Sequence, residues 1–280
     1  MTMKIFLSAD IEGVAGVASR DQLMPGSFEW ERARKWMTGE VRAAAEAAAK
    51  AGATDIIVAD SHGNAQNILV DELPDYVRVV KSWPRPLLQM QGVEEDHVVA
   101  CAFIGYHASS RGMGGALAHT YVGAAFYDIR INGVSASEAY ANAALAGHYG
   151  VPLIFVSGDD GCVEEIRRQC PEVEAVVTKK AHGNLSVTTV TPARSQQLIA
   201  DGMTSAMTRL ASFRPLTLAG AIRLEIDFKS RESAEVLSYL PMIKRTSATT
   251  IQYDALNMEE VMRFLSFTIF YAPALAPPAR

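Results

Sequence analysis

Cysteine is scarce in this sequence, and the few residues present are not arranged to bind a metal. The three cysteines among 280 residues are Cys101, Cys162 and Cys170. An odd number leaves no complete disulfide framework, and none of the three belongs to a C-x-x-C pair, so a cysteine zinc site is not expected. Reduced thiols are typical of proteins in the cytoplasm. We therefore predict a cytoplasmic location.

The sequence also lacks a strong excess of charge and a long apolar run near its start. The formal net charge is −5 and the pI is about 5.7, which gives no electrostatic footprint for nucleic acid or an anionic membrane surface. The apolar residues before Asp10 are too few for a signal-peptide core. The composition, 49% hydrophobic and 20% charged, excludes disordered and fibrous classes. We therefore expect a globular chain with neither a nucleic-acid nor a membrane partner.

Short apolar runs alternate with helical patterns along the chain. Near-continuous hydrophobic segments, typical of strands buried in a parallel sheet, occupy residues 5–8, 55–59, 98–105 and 152–157. Helical patterns occupy residues 29–51 and 135–149, and a third helix begins at Thr191-Pro192. The alternation predicts an α/β fold with a mostly parallel sheet and flanking helices.

The pattern changes after Arg214-Pro215. Strand patterns at residues 221–228 and 248–253, with helical patterns at 232–240 and 258–271, predict a smaller C-terminal α/β unit. We therefore divide the chain into a main domain, residues 1–214, and a C-terminal unit, residues 215–280. The second unit would complete the core or provide oligomer contacts.

Each of the four predicted strands ends in residues that can bind a metal. These residues are Asp10, Glu12, Asp60, His62, His107, Asp159 and Asp160. In open α/β sheets, ligands bind at the carboxyl ends of the strands, and carboxylates combined with imidazoles suit Zn, Mn or Co. A single aspartate at such a position is also typical of a turn or a helix cap. Four such endings in one chain indicate a metal site.

Glu138 has two interpretations. With Ser135 it fits the S-x-x-E capping box, in which the glutamate only satisfies the start of a helix. Asn142 follows one helical turn later on the same face. If that face points at the strand ends, both side chains could reach a metal site. The residues alone favour the capping role.

A glycine-rich segment, residues 112–119, ends in His119. It lacks the G-K-[ST] ending of a phosphate-binding loop, so nucleotide binding is poorly supported. Glycines allow close backbone approach or mobility, and a histidine beside a reactive group could carry protons. The alternative is an exposed loop histidine. We expect structural or surface positions for the remaining histidines, His97, His148 and His182.

Taken together, these motifs resemble the zinc-dependent D-aminopeptidase family of bacterial dipeptide-transport operons. In chain order they are Ser8-x-Asp10-x-Glu12-Gly13, Asp60-Ser61-His62, Gly105-Tyr106-His107, His119, Glu138-x-x-x-Asn142 and Gly158-Asp159-Asp160. Their order and spacing match over nearly the whole chain. The resemblance implies that residues 1–214 form a metal-binding catalytic domain.

The resemblance further implies a binuclear zinc site, with two ions per subunit and five protein ligands. The implied ligands are Asp10, Glu12, His62, His107 and Glu138. The resemblance also implies that His119 is the catalytic histidine, which in the family is assigned as the nucleophile. Because a metal-activated water already provides a nucleophile, we favour proton transfer for this histidine. The remaining motif residues, which we expect to support the ligands or contact substrate, are Asp60, Asn142, Asp159 and Asp160.

The expected activity is that of a metallo-aminopeptidase acting on short peptides, with an N-terminal D-residue as its target. The family assembles as a decamer of two stacked five-membered rings whose active sites face an internal chamber, so a homo-oligomer is implied. Two alternatives stay open from the residues themselves. One is another binuclear metallohydrolase, such as an amidase or a phosphoesterase. The other is a non-enzymatic, metal-stabilised ring scaffold.

Overall fold

Two β-sheets form the frame of the molecule in the computed structural model, which describes residues 3–271. The larger sheet has seven strands. In spatial order they are β3 (Val77–Val80), β2 (Asp55–Asp60), β1 (Lys4–Ala9), β4 (Val98–Tyr106), β7 (Leu153–Asp159), β8 (Glu174–Gly183) and β9 (Ser186–Thr189). All neighbouring pairs are parallel except β8 with β9. The predicted mostly parallel sheet is therefore confirmed.

Helices cover both faces of this sheet, as its hydrophobic strands require. Their bounds are α1 (Phe28–Lys50), α2 (Glu138–His148), α3 (Asp160–Gln169), α4 (Pro192–Thr208), α5 (Arg231–Leu237) and α6 (Met258–Phe270). Alternate residues of β1 point to opposite cores. Ile5 and Leu7 pack with residues of α1 and α4, whereas Phe6 packs with residues of α2 and α6.

The smaller sheet is antiparallel and joins distant parts of the chain. In spatial order its five strands are β11 (Ile243–Arg245), β12 (Thr250–Ala255), β10 (Ile222–Phe228), β5 (Phe126–Ile131) and β6 (Val134–Ser135). The C-terminal unit thus shares a sheet with two strands that precede residue 214. The division at residue 214 stays a prediction, and residues 272–280 of the second unit lie outside the described part of the chain.

The predicted helices and strands are confirmed to within a few residues at each end, with one correction at α2. The capping-box interpretation placed the start of this helix at Ser135, but Ser135 belongs to β6. The helix begins at Glu138, and its N-cap is Ser137, whose side chain accepts a hydrogen bond from the Tyr140 N–H at 3.1 Å. The Glu138 carboxylate is therefore not needed to cap the helix.

None of the helices within residues 3–271 combines the length and the apolar composition needed to cross a membrane.

Candidate metal centre

Three neighbouring strands of the larger sheet deliver the candidate ligands to one edge. Asp10 and Glu12 follow β1, His62 follows β2, and His107 follows β4. Parallel register places these strand ends side by side. Glu138 is the first residue of α2 and is buried against the same edge. The structure therefore brings together all five ligands that the resemblance implied.

The strand ends are also tied to one another through the backbone. The Asp10 N–H donates to the Ile104 carbonyl at 2.8 Å, and the Ser61 N–H donates to the Ala9 carbonyl at 2.8 Å. Gly13 lies so close to β4 that a Cβ atom there would be 1.8 Å from the Tyr106 carbonyl oxygen. Only glycine fits at that position, which explains why glycine follows Glu12.

The possible ligand atoms form two triads that share Asp10, and a third group combines Glu12 and His107 with His119. In the first, His62 Nδ1 lies 2.9 Å from Glu12 Oε2 and 3.3 Å from Asp10 Oδ1. In the second, His107 Nε2 lies 3.4 Å from Glu138 Oε1 and 3.5 Å from Asp10 Oδ2. The two oxygens of Asp10 thus face two different histidines, an arrangement that suits a carboxylate shared between two cations.

The donor set fits a metal better than it fits the protein alone. His107 Nε2 is buried and has no hydrogen-bond partner, although such atoms are normally satisfied. Burial and the charge of Glu12 raise the pKa of Asp10 to about 7. Burial opposes a charged His107, but the carboxylates of Glu138, Glu12 and Asp10 together outweigh it and raise the histidine's pKa. Asp10 and His107 therefore hold their protons more strongly than usual, and these protons partly neutralise the negative charge of the cluster. A bound divalent cation would neutralise that charge better.

A buried polar network lies behind Glu138 and includes Asn142. Gln89 Nε2 donates to Glu138 Oε2, and Gln89 Oε1 accepts from Asn142 Nδ2 at 2.6 Å. Asn142 Nδ2 also donates to the Tyr106 hydroxyl at 2.8 Å, and that hydroxyl lies 2.7 Å from Ser8 Oγ. This network restricts where the Glu138 carboxylate can point, which is the usual role of partners behind metal ligands.

The loop after Glu12 is held by a buried lysine that the sequence analysis did not single out. Lys179 Nζ donates to the backbone carbonyls of Glu12, Val14 and Val17. Burial lowers the pKa of Lys179 to about 8. On the same loop, the Ala15 N–H donates to the buried carboxylate of Glu40 at 3.0 Å. The position of Glu12 therefore depends on contacts made far along the chain.

His119 lies beside the cluster but is held differently. Its ring stacks on that of His107 at 4.3 Å with 6° between the planes. Its Nε2 is 4.0 Å from Glu12 Oε1 and 4.0 Å from Glu138 Oε1. Its Nδ1 lies 2.9 Å from the Leu117 carbonyl, so the neutral ring donates from Nδ1 and leaves Nε2 free to accept a proton.

The glycine-rich loop that carries His119 is fastened at two places. Asp159, the N-cap of α3, accepts from the Ala116 N–H at 3.0 Å. Asn184, between β8 and β9, accepts from the Leu117 N–H at 2.8 Å through its carbonyl and from the Ala118 N–H at 3.1 Å through Oδ1. These bonds fix a backbone in which Leu117 has φ of +57°.

Two of the predicted supporting residues point elsewhere. Asp60 accepts from the backbone N–H groups of Asn67 and Ile68 and from the Asn67 side chain, so it orders the loop after β2. Asp160 accepts from the Ala181 N–H at 3.0 Å. Asp159 and Asn142 are placed as described above, against the loop and behind the ligands. None of the four belongs to a triad of possible metal ligands within the described residues.

Gln89, Lys179 and Asn184 were missed because their roles depend on long-range contacts. Gln89 lies in an irregular stretch with no periodicity, and Lys179 looks like a surface lysine beside Lys180.

A cavity of about 360 Å³ opens beside the cluster. It is the size of a small-molecule site.

Known proteins are similar to this chain over most of its length. A family model described as D-aminopeptidase matches residues 3–267. The D-aminopeptidase of Bacillus subtilis (strain 168) is 29% identical over 262 residues, which cover 92% of this chain and 93% of that protein. A solved structure, the Zn-dependent D-aminopeptidase DppA from Bacillus subtilis, a self-compartmentalizing protease, superposes with a TM-score of 0.90 at 27% identity. The match covers 95% of this chain and 97% of that one.

Proposed function

The chain belongs to the D-aminopeptidase family, and on this premise we propose that it is a zinc-dependent aminopeptidase that releases the N-terminal D-amino acid from short peptides. One observation carries the proposal. The two carboxylate oxygens of Asp10 face two histidines from separate strand ends, and one of these histidines has a buried nitrogen without a partner.

Two zinc ions would bind, one to each triad that shares Asp10. The first triad adds Glu12 and His62, and the second adds His107 and Glu138. When bound, zinc supplies a Lewis acid for the scissile carbonyl and an activated water near neutral pH. The protein would contribute the buried carboxylates and imidazoles of these two triads.

His119 is the residue that we assign to proton transfer. Its Nδ1 donates to the Leu117 carbonyl, so Nε2 faces the cluster and is the atom that exchanges a proton. In this role Nε2 takes up a proton and delivers it to the leaving amine as the amide bond breaks. The side chain is 26% exposed, so it can regain a proton from solvent. Direct nucleophilic attack by His119 is the competing role.

We further propose that the chain forms a homo-oligomer, a decamer of two stacked five-membered rings. Its support is the structural likeness to a self-compartmentalizing protease. An internal chamber would admit short peptides and exclude folded proteins. Light scattering on the active protein tests this, and activity in a monomeric fraction would contradict it.

Metal analysis combined with a substrate panel tests the activity. We expect two zinc ions per subunit and hydrolysis of D-Ala dipeptides well above that of their L-Ala counterparts. A preference for simple amides or phosphate esters would favour another binuclear metallohydrolase. Full zinc occupancy with no hydrolysis of any compound would favour the metal-stabilised scaffold. Either result overturns the proposal.

A further inference from the structure

The cavity beside the metal centre is lined by two unlike sets of side chains. One set is polar and includes Asp10, His62, Glu138 and His119. The other set is largely apolar, and we call it the aromatic wall. It consists of Trp83, Leu88, Tyr121, Val122, Ile269 and Phe270. A site that only had to hold a small polar molecule would not need three aromatic side chains.

The aromatic wall is fixed in place by polar contacts at its back. Trp83 Nε1 donates to the Gly63 carbonyl at 2.7 Å, and the guanidinium of Arg85 stacks on the indole at 4.0 Å. Ser266 of α6 donates to the Arg85 carbonyl at 2.8 Å. The Trp83 and Phe270 rings lie 5.5 Å apart. The wall is therefore preformed, as expected for a recognition surface.

Charge among the described lining residues is confined to the polar set. The ionisable side chains are Asp10, His62, Glu138, His119 and the phenol of Tyr121. A carboxylate placed against the aromatic wall would lose its hydration and gain no partner among the lining side chains, which is costly. An apolar side chain would lose only unfavourable contact with water.

Position along the substrate follows from the proposed function, on which this inference rests. An aminopeptidase cleaves the bond after the first residue, so that residue must lie beside the metal-binding cluster when its peptide bond is cut. The aromatic wall lines the same cavity as Asp10, His62 and Glu138. We propose that it binds the side chain of the N-terminal residue, and that the preferred substrates carry a large apolar or aromatic D-residue there, such as D-leucine or D-phenylalanine.

Dipeptides that differ at one position test this on the zinc-loaded, full-length protein. With glycine in second place, D-Phe and D-Leu should exceed D-Ala, D-Glu and D-Lys in kcat/KM by about tenfold or more, because each apolar group that fits such a pocket discriminates by roughly that factor. D-Ala-D-Phe should gain no such advantage over D-Ala-D-Ala. If the second residue carries the preference instead, the assignment of the wall to the N-terminal residue is overturned.

Two phenylalanines on α6 provide a matched pair of variants. Phe270 lines the cavity, whereas Phe267 stacks on Tyr271 at 4.9 Å and is not among the lining residues. Phe270→Ala should lower the ratio of kcat/KM for D-Phe-Gly to kcat/KM for D-Ala-Gly by about tenfold. Phe267→Ala should leave this ratio unchanged. Equal behaviour of the two variants would overturn the proposal.

A measurement on the unmodified protein guards against variants that fail to fold. Free D-phenylalanine should inhibit hydrolysis of D-Ala-Gly competitively and more strongly than free D-alanine. If D-Ala-Gly is the best substrate and D-alanine the better inhibitor, the aromatic wall does not select the side chain, although the proposed aminopeptidase function survives. If no dipeptide is hydrolysed at all, both proposals fail.

Discussion

The five clustered side chains and His119 lie side by side but are held in different ways. The cluster is buried at the ends of strands and at the start of a helix, with partners such as Gln89 behind it. His119 is partly exposed and sits on a loop fastened by one hydrogen bond to Asp159 and two to Asn184. One region is part of the core, and the other is attached to it.

This difference matches two chemical tasks. Ligands that must bind a cation tightly gain from rigid positions that persist without the cation. A residue that moves protons needs access to solvent and a correctly oriented nitrogen. Substitutions in the two regions should therefore separate metal content from turnover.

The largest effect is expected at Asp10, because both triads share it. Asp10→Ala should remove both zinc ions and abolish hydrolysis, whereas His62→Ala should weaken only the first site. Zinc per subunit, measured by atomic emission after dialysis, distinguishes the two variants. Asp160→Asn serves as a control, since Asp160 hydrogen-bonds to β8 and is outside both triads. Retention of two ions by Asp10→Ala would contradict the shared site.

His119→Ala should lower kcat by roughly 10²- to 10⁴-fold, the usual range for loss of a general acid or base. Zinc content should stay at the level of the unmodified protein, because His119 belongs to neither of the triads that share Asp10. His182→Ala is the matched control, since that histidine is exposed and bonds to Thr188. Near-normal turnover in His119→Ala would remove the proton-transfer role, and loss of zinc would make His119 a ligand.

Much of the contrast between the buried cluster and the loop of His119 could be predicted from the sequence. The buried strands were predicted from continuous apolar runs, and Asp10, Glu12, His62 and His107 were predicted as ligands from their places at the ends of those runs. For Glu138 the residues alone favoured helix capping, and only the family resemblance implied a ligand. The edge strand β3 is short and half-exposed, so it has no such run. The β5–β6 hairpin has an Asn132-Gly133 turn with both residues at positive φ, a pattern that does predict a hairpin.

The supporting residues were harder to predict for a physical reason. Lys179 contacts a loop more than 160 positions away, and Gln89 meets Glu138 across 49 positions. Neither contact leaves a periodic or spacing pattern in the chain, because it depends on how the strands are ordered in the sheet. The aromatic wall likewise joins Trp83 to Phe270, which only the tertiary fold brings together.

A smaller effect is expected at Gln89, which acts on the cluster through Glu138. Gln89→Met keeps the side chain's length and apolar volume but removes the donor to Glu138 Oε2. Zinc affinity should fall by about 10- to 100-fold, as for other partners of metal ligands. At saturating zinc, kcat should recover to near its normal value. A titration with a competing chelator measures the affinity, and a kcat that stays low in excess zinc would place Gln89 in the reaction itself.

The smallest effect is expected at Asn184, which touches the His119 loop and no ligand. Asn184→Ala removes one hydrogen bond, from the Ala118 N–H to Oδ1. One such bond is worth about 1 kcal/mol, so kcat should fall by roughly threefold to tenfold with zinc content unchanged. Leu185→Ala, in the same turn and 54% exposed, should have no effect.

A double-mutant cycle with His119→Ala decides the mechanism. If Asn184 works by orienting His119, Asn184→Ala should cause no further loss of kcat in the His119→Ala background. An equal loss in both backgrounds would mean that the turn stabilises the site without positioning the histidine.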